Sequence, residues 1–119
     1  MKISRNLKFL KDGEEIIPNL FVKFEFGHTP GLINLILNVD EKRIWFMSDM
    51  VHSDLQFENP EWCFFTDNSE ERAIKARKNA FDDLSKPNTI IANSHFIEEA
   101  FGYLKKEGEG KYKFERYTK

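Results

Sequence analysis

The chain has 119 residues, and its 18 lysines and arginines against 20 aspartates and glutamates give a formal net charge of −2. That length suits one small domain, and the balanced charge argues against a nucleic-acid-binding surface, which needs clustered basic residues. No apolar run approaches the ~20 residues that span a bilayer, and the N-terminal sequence lacks the apolar core of a secretory signal. With Cys63 as its only cysteine, we expect a single cytoplasmic domain over residues 1–119 with no nucleic-acid or membrane partner.

The first half of the sequence predicts four strands joined by short turns. Residues 8–10 form a short predicted strand that ends at the turn Asp12-Gly13. Residues 20–26 alternate between an apolar and a mixed face, and residues 33–39 follow as the next strand. Residues 43–47 are nearly all apolar, as expected of a strand that is covered on both faces.

A long loop, a helix and a final hairpin are predicted for the second half. Residues 49–67 have no clear period, and loops of this length in small domains are often functional. Asn68, with Glu71 three residues later, predicts the start of a helix that Pro87 ends.

Residues 89–92 then form a further short buried strand, and Gly108-Glu109-Gly110 marks the turn of a C-terminal hairpin. The order of elements predicts an α+β fold, with a mainly antiparallel sheet and one long covering helix.

Each histidine of the chain follows a predicted strand. His28 lies in the turn "GHTPG", Asp49 and His52 follow the strand that ends "WFMS", and His95 follows "TIIANS". Binding residues collect where strands end at a sheet edge, and imidazole and carboxylate groups are ligands for zinc, iron or manganese. Taken singly, each of these residues is more often an ordinary polar side chain, so the ordered set carries the argument.

The ordered set "GHTPG", "SDMVH" and "NSHF" resembles the C-terminal half of the metallo-β-lactamase-fold hydrolases. "DMVHSDLQFENPEW", followed by "SHF" and "FG", is similar to the branch with lactonase-like and organophosphate-hydrolase-like members. The resemblance implies half of an αββα sandwich. It also implies that His28 is a ligand of a first metal, that Asp49 is the carboxylate bridging two metals, and that His95 is a ligand of the second. His52 matches a histidine near the substrate side of this branch.

In the complete family, by this resemblance, Asp49 acts with a metal-bound water that attacks an ester, lactone or phosphoester. Zinc is the first choice of metal, with iron or manganese as alternatives. Trp62 and Phe64 are candidates for a substrate wall, although loop aromatics more often only cover a core. Cys63 is interpreted as a small packed residue rather than a nucleophile.

The family's other metal-binding motif, H-x-H-x-D-H, is not present in this sequence. The ligand set is therefore expected to be incomplete and the chain to be inactive alone. Three hypotheses follow: a truncated hydrolase that needs a complementary half, a non-catalytic remnant or interaction module, and a weak mononuclear metal binder that uses His28, Asp49 and His95. A small-molecule substrate is expected only for a completed site.

A sheet without its partner half is expected to expose an apolar face larger than the few hundred Å² typical of a monomer. By strand alternation, that face is predicted to contain Val22, Phe24, Phe26, Ile33, Leu35, Leu37, Trp45 and Met47. We therefore expect self-association, pairing with a separately encoded N-terminal half, or poor solubility.

Overall fold

Seven short β-prone segments form one mixed sheet in the computed structural model, which describes residues 6–118. Strand order in the sheet follows chain order, and neighbouring strands are antiparallel except for the parallel pair β4 and β5. No helix in the described part of the chain is long and apolar enough to cross a membrane. The elements are β1 Glu15–Ile17, β2 Leu20–Phe24, β3 Ile33–Val39, β4 Lys42–Phe46, α1 Leu55–Glu58, α2 Glu70–Leu84, β5 Thr89–Ala92, β6 Phe101–Gly108 and β7 Lys111–Arg116.

The predicted α+β class, the strands at 33–39 and 89–92, and the C-terminal hairpin are confirmed. The predicted strand at 8–10 is wrong, because the backbone of β2 already has other partners. Gly13 donates to the carbonyl of Val22, whose own N–H donates to the carbonyl of Glu14, and the Asp12 side chain accepts from the N–H of Phe24. The first strand is therefore β1, which follows the Asp12-Gly13 turn.

The long helix α2 begins one residue later than the sequence predicts. Ser69 is the capping residue, with a side chain that accepts from the N–H of Arg72, whereas Asn68 lies just outside the helix and donates its backbone N–H to the carbonyl of His28. The predicted loop over 49–67 also contains the short helix α1. The helix buries a stripe of apolar side chains at helical spacing: Ala73, Ala76, Ala80, Phe81 and Leu84.

The core lies between α2 and one face of the sheet. Trp45 is opposite Ile36 on β3 and Ile91 on β5, so these three side chains share the helix-covered face. The sequence predicts Trp45 and Met47 on the exposed apolar face of the sheet. That prediction is wrong, since they are 0% and 5% exposed and belong to the main apolar cluster. The β3–β4 turn sets this register by pairing Val39 with Lys42.

The opposite sheet face carries a continuous apolar row across five strands. Val22, Leu35, Phe46, Ala92 and Phe101 are successive partners in register and therefore point the same way. Phe46 and Phe101 are 39% and 44% exposed, which is high for phenylalanine in a sheet interior. We call this surface the open face.

Glu25 is a buried carboxyl group that should make stability depend on pH. Burial raises its pKa from 4.5 to about 7, against the opposing effect of Lys23. Because the folded-state pKa is the higher one, this group's contribution to stability is fully present below pH 4.5 and is lost as the pH rises through about 7. We expect Glu25→Gln to remove this loss. When the pH is raised from acidic to mildly alkaline, the free energy of unfolding of the variant should therefore rise by about 2–3 kcal/mol relative to that of wild type. Urea unfolding at both pH values measures this, and a constant difference between the two proteins would contradict it.

Candidate metal centre

Sheet topology brings three strand ends to one edge. Phe24 at the end of β2 pairs with the start of β3, and Phe46 at the end of β4 lies beside Leu35 of β3 and Ala92 at the end of β5. The segments that follow β2, β4 and β5 therefore leave the sheet on the same side. They carry His28, Asp49 and His95, respectively.

These three side chains meet in space as well as at the sheet edge. Asp49 Oδ1 lies 2.5 Å from His95 Nε2, and Asp49 Oδ2 lies 3.6 Å from His28 Nε2. The carboxylate thus presents one oxygen to each imidazole. Two ligand atoms of one tetrahedral ion, each about 2.0–2.2 Å from it, lie about 3.3–3.6 Å apart. The separation between Asp49 and His28 fits this spacing, whereas the shorter contact with His95 is a hydrogen bond that a bound ion would replace.

His52 lies at the middle of this arrangement rather than at its margin. Its ring centroid is 4.8 Å from that of His28 and 5.1 Å from that of His95. Ligand atoms of Asp49, His52 and His95 all lie within 4.8 Å of one another. His52 Nδ1 is buried and has no hydrogen-bond partner among the described residues, which fits an imidazole nitrogen that is available to bind an ion or a ligand.

The local electrostatics favour the protonation states that bind metals. The hydrogen bond with His95 lowers the pKa of Asp49 below its ordinary value, so the carboxylate stays ionised. Burial, reinforced by the nearby His28 and His95, lowers the pKa of His52 and keeps its imidazole neutral. An ionised carboxylate and a neutral imidazole are the forms that coordinate divalent cations.

Asp67 is a member of the cluster that the sequence analysis did not single out. Its side chain is fully buried, and its Oδ1 lies 2.9 Å from His28 Nδ1. Its Oδ2 accepts from the N–H of Phe64 and lies 3.8 Å from the Nη1 of Arg77, which is also fully buried. Asp67 is three residues before the helix, so only the folded loop reveals its position.

Arg77 holds the long loop against α2. Its guanidinium donates to the carbonyls of Pro60, Met50 and Trp62, so one helix residue fixes both ends of the segment between β4 and α2. A guanidinium is suited to this work because its five donors lie in one rigid plane.

Two buried asparagines position the flanks of Asp49 and His95. Asn34 accepts from the backbone N–H of Ser48 and contacts the sulfur of Met50, the residues on either side of Asp49. Asn93 donates to the carbonyl of Val51 and accepts from the N–H of His95. Their amide groups couple β3, β4 and β5 at the edge where the site lies.

Gly27 lets the turn that carries His28 approach the start of α2. A Cβ at this position would lie 2.6 Å from the Cα of Ala73, closer than side chains tolerate. The carbonyl of Gly27 also accepts from the backbone N–H of Ser69. The glycine before His28 is therefore required by close backbone packing.

The aromatic residues considered for a substrate wall have different positions. Phe64 stacks on His52, with centroids 4.3 Å apart and planes 8° from parallel. Trp62 is 55% exposed and contributes its carbonyl to Gln56 and Arg77. Cys63 is partly buried with its sulfur 3.4 Å from Arg77, in keeping with a packed residue.

The sequence matches no family model, and no curated protein is similar enough to match it. Several solved structures do match. The dizinc quorum-quenching lactonase AidC aligns with a TM-score of 0.85 and 23% identity over 98% of this chain. AbOPH, a hydrolase of the β-lactamase superfamily, aligns with a TM-score of 0.81 and 28% identity over 90% of this chain. A probable metal-dependent hydrolase from Staphylococcus aureus aligns over 98%, with a TM-score of 0.72 and 14% identity.

The chain therefore has the fold of the metallo-β-lactamase-superfamily lactonases and hydrolases, as the sequence resemblance predicts. It corresponds to part of that fold, since it spans 40% of the length of AidC, 37% of AbOPH and 42% of the Staphylococcus aureus protein.

Proposed function

We propose that this chain forms part of a metal-dependent hydrolase and contributes His28, Asp49 and His95 as ligands of a divalent metal centre. The observation that carries the proposal is the convergence of these three side chains at one sheet edge, with an Asp49 oxygen directed at each histidine. The fold supports it, because one of the structural neighbours is a dizinc lactonase.

Each residue has a distinct task in this proposal. His28 presents an Nε2 lone pair, His95 Nε2 donates to Asp49 in the metal-free chain and would release that proton to bind a cation, and Asp49 supplies negative charge between the two imidazoles. A bound divalent cation supplies activation of water and stabilisation of negative charge that develops on an ester, lactone or phosphoester oxygen. Zinc suits this nitrogen and oxygen donor set, and iron and manganese are the alternatives.

We further propose that the chain alone is inactive as a hydrolase and needs a complementary segment that carries H-x-H-x-D-H. The test uses a lactone, a phosphotriester and an aryl ester with zinc present, first with the chain alone and then after mixing with the complementary half of a structural neighbour. We expect hydrolysis only in the mixture, and we expect Asp49→Asn to abolish it. Asp83→Asn is the matched control, because Asp83 pairs with Arg43 outside the metal centre. Turnover by the chain alone would contradict the proposed inactivity.

Mononuclear metal binding by this chain alone is a second candidate, and the unpartnered His52 Nδ1 favours it. With His52 included, the cluster offers three imidazoles and the Asp49 carboxylate. Four protein ligands is the number found in closed structural zinc sites. Such a site would bind zinc without leaving a position for substrate.

Association through the open face is the proposed partner interaction, either with a second copy or with a complementary half. The apolar row that contains Leu35 and the exposed Phe46 and Phe101 lies on the face opposite the core, and hydrophobic surfaces of this kind drive association in proportion to the area they bury.

We expect Leu35→Lys to lower the average molar mass seen by light scattering at a fixed protein concentration, because a lysine in the apolar row of the open face opposes its burial. Leu55→Lys is the matched control, since Leu55 is 55% exposed on α1, away from the sheet face. Equal molar masses for wild type and Leu35→Lys, both monomeric, would contradict self-association.

A further inference from the structure

The buried carboxylate of Asp67 has no role in the proposed function, although it contacts one of the proposed ligands. Its Oδ1 lies 2.9 Å from His28 Nδ1, and its Oδ2 accepts from the N–H of Phe64 at 2.9 Å. Both oxygens are thus occupied by protein donors. Ligand atoms of Asp67, His28 and His52 lie within 4.8 Å of one another, but the two hydrogen-bond contacts of Asp67 suit a partner of the ligand better than a ligand.

The contact has a consequence for the protonation of His28. A neutral imidazole carries one N–H, and a carboxylate oxygen can only accept a hydrogen bond. The proton of His28 therefore belongs on Nδ1, beside Asp67, which leaves a lone pair on Nε2. That nitrogen faces Asp49 Oδ2 at 3.6 Å, in the centre of the site.

We infer that Asp67 is a positioning residue that holds His28 in its Nδ1–H tautomer and so presents Nε2 to the metal centre. The inference rests on the proposed function for the role of His28 as a ligand. A histidine ligand commonly donates its second N–H to a carboxylate, which fixes both the tautomer and the direction of the ring.

Arg77 is the reason that Asp67 can act in this way. Its Nη1 lies 3.8 Å from Asp67 Oδ2, and the side chains of both residues are fully buried. Burial of a carboxylate costs several kcal/mol of desolvation, which a nearby cation offsets. Through this pair, α2 fixes the direction in which His28 points.

Asp67→Asn tests the inference without a change of size. The Oδ2 side of Asp67 faces two donors, the N–H of Phe64 and the guanidinium of Arg77, whereas Oδ1 has His28 as its hydrogen-bond partner among the described residues. The asparagine oxygen should therefore take the Oδ2 place, and its NH2 group should face His28 Nδ1. That nitrogen must then accept, so the proton moves to Nε2 and the lone pair no longer faces the site.

The experiment is long-range ¹H–¹⁵N NMR of histidine-labelled, metal-free protein at about pH 8, where imidazole is neutral. We expect His28 as the Nδ1–H tautomer in wild type and as the Nε2–H tautomer in Asp67→Asn, with wild-type behaviour in the control Asp83→Asn. An Nε2–H tautomer in wild type, or an unchanged tautomer in Asp67→Asn, would overturn the inference. The wild-type spectrum decides the question even if the variant does not fold.

Zinc titration of the same proteins separates this inference from the proposed function. We expect Asp67→Asn to weaken zinc binding about 10- to 100-fold, as is usual for the loss of a carboxylate behind a histidine ligand. If wild type shows the Nδ1–H tautomer but binds no zinc, the proposed function fails and the positioning of His28 by Asp67 stands. If wild type and Asp67→Asn bind zinc equally, ligand positioning by Asp67 fails and the proposed function stands.

Discussion

Arg77→Met is expected to lower the free energy of unfolding by about 3–5 kcal/mol, because it breaks a buried ion pair by removing one partner. Asp67 would keep a buried charge without its cation, and the carbonyls of Pro60, Met50 and Trp62 would each lose a donor. Methionine fills similar space, so the lost charge and hydrogen bonds should dominate over any cavity. Urea unfolding monitored by tryptophan fluorescence measures the change.

Arg72→Met is the matched control for this prediction. Arg72 lies on the same helix, where it is exposed and contributes only its backbone N–H to the Ser69 cap. Its replacement should change stability by less than about 0.5 kcal/mol. Equal effects of the two substitutions would show that Arg77 does not hold the loop as described.

Asp49→Ala is expected to reduce zinc affinity more than about 100-fold, because loss of even an outer-sphere partner costs 10- to 100-fold. Asp49 is the one carboxylate placed between two proposed histidine ligands, with an oxygen directed at each. Without it, His28 and His95 would face a bound cation with no anionic ligand between them. Calorimetric titration of chelator-treated protein with zinc measures the loss.

Asp54→Ala provides the control for zinc binding. Asp54 lines the cleft of about 190 Å³ beside His52 and His95, and its carboxylate lies 3.9 Å from Arg116. Asp54 carries the same charge as Asp49 and lies near the site, but it is not a member of the ligand cluster. If Asp54→Ala weakens zinc binding as much as Asp49→Ala, the effect is one of general charge and the assigned ligand is wrong.

The fold was largely predictable because its signals are local. Strand β3 is a mostly apolar run closed by Asp40, which adopts the positive φ of 52° that the turn needs, and α2 shows its apolar spacing and a stop at Pro87. Register was not predictable, since the side that Trp45 faces depends on how β4 pairs with its neighbours. The strand prediction for residues 8–10 failed for a related reason. The backbone groups of β2 that this strand would have paired with form hydrogen bonds with other residues.

The site likewise contains some residues that the sequence could predict and others that it could not. His28, Asp49 and His95 could be found from the strands that precede them and from their resemblance to a known motif set. Asp67 could not, because a carboxylate before a helix is ordinarily a solvated residue, and only the folded loop brings it to His28. The central place of His52 likewise depends on how three loops meet.

The zinc content of the purified chain tests the central claim most directly. After removal of metal with a chelator and dialysis against excess zinc, mass spectrometry of metals should find about one zinc per chain, and His95→Ala should remove it. Failure of the folded wild-type chain to retain zinc, with His28, Asp49 and His95 intact, would contradict the assignment of a metal centre.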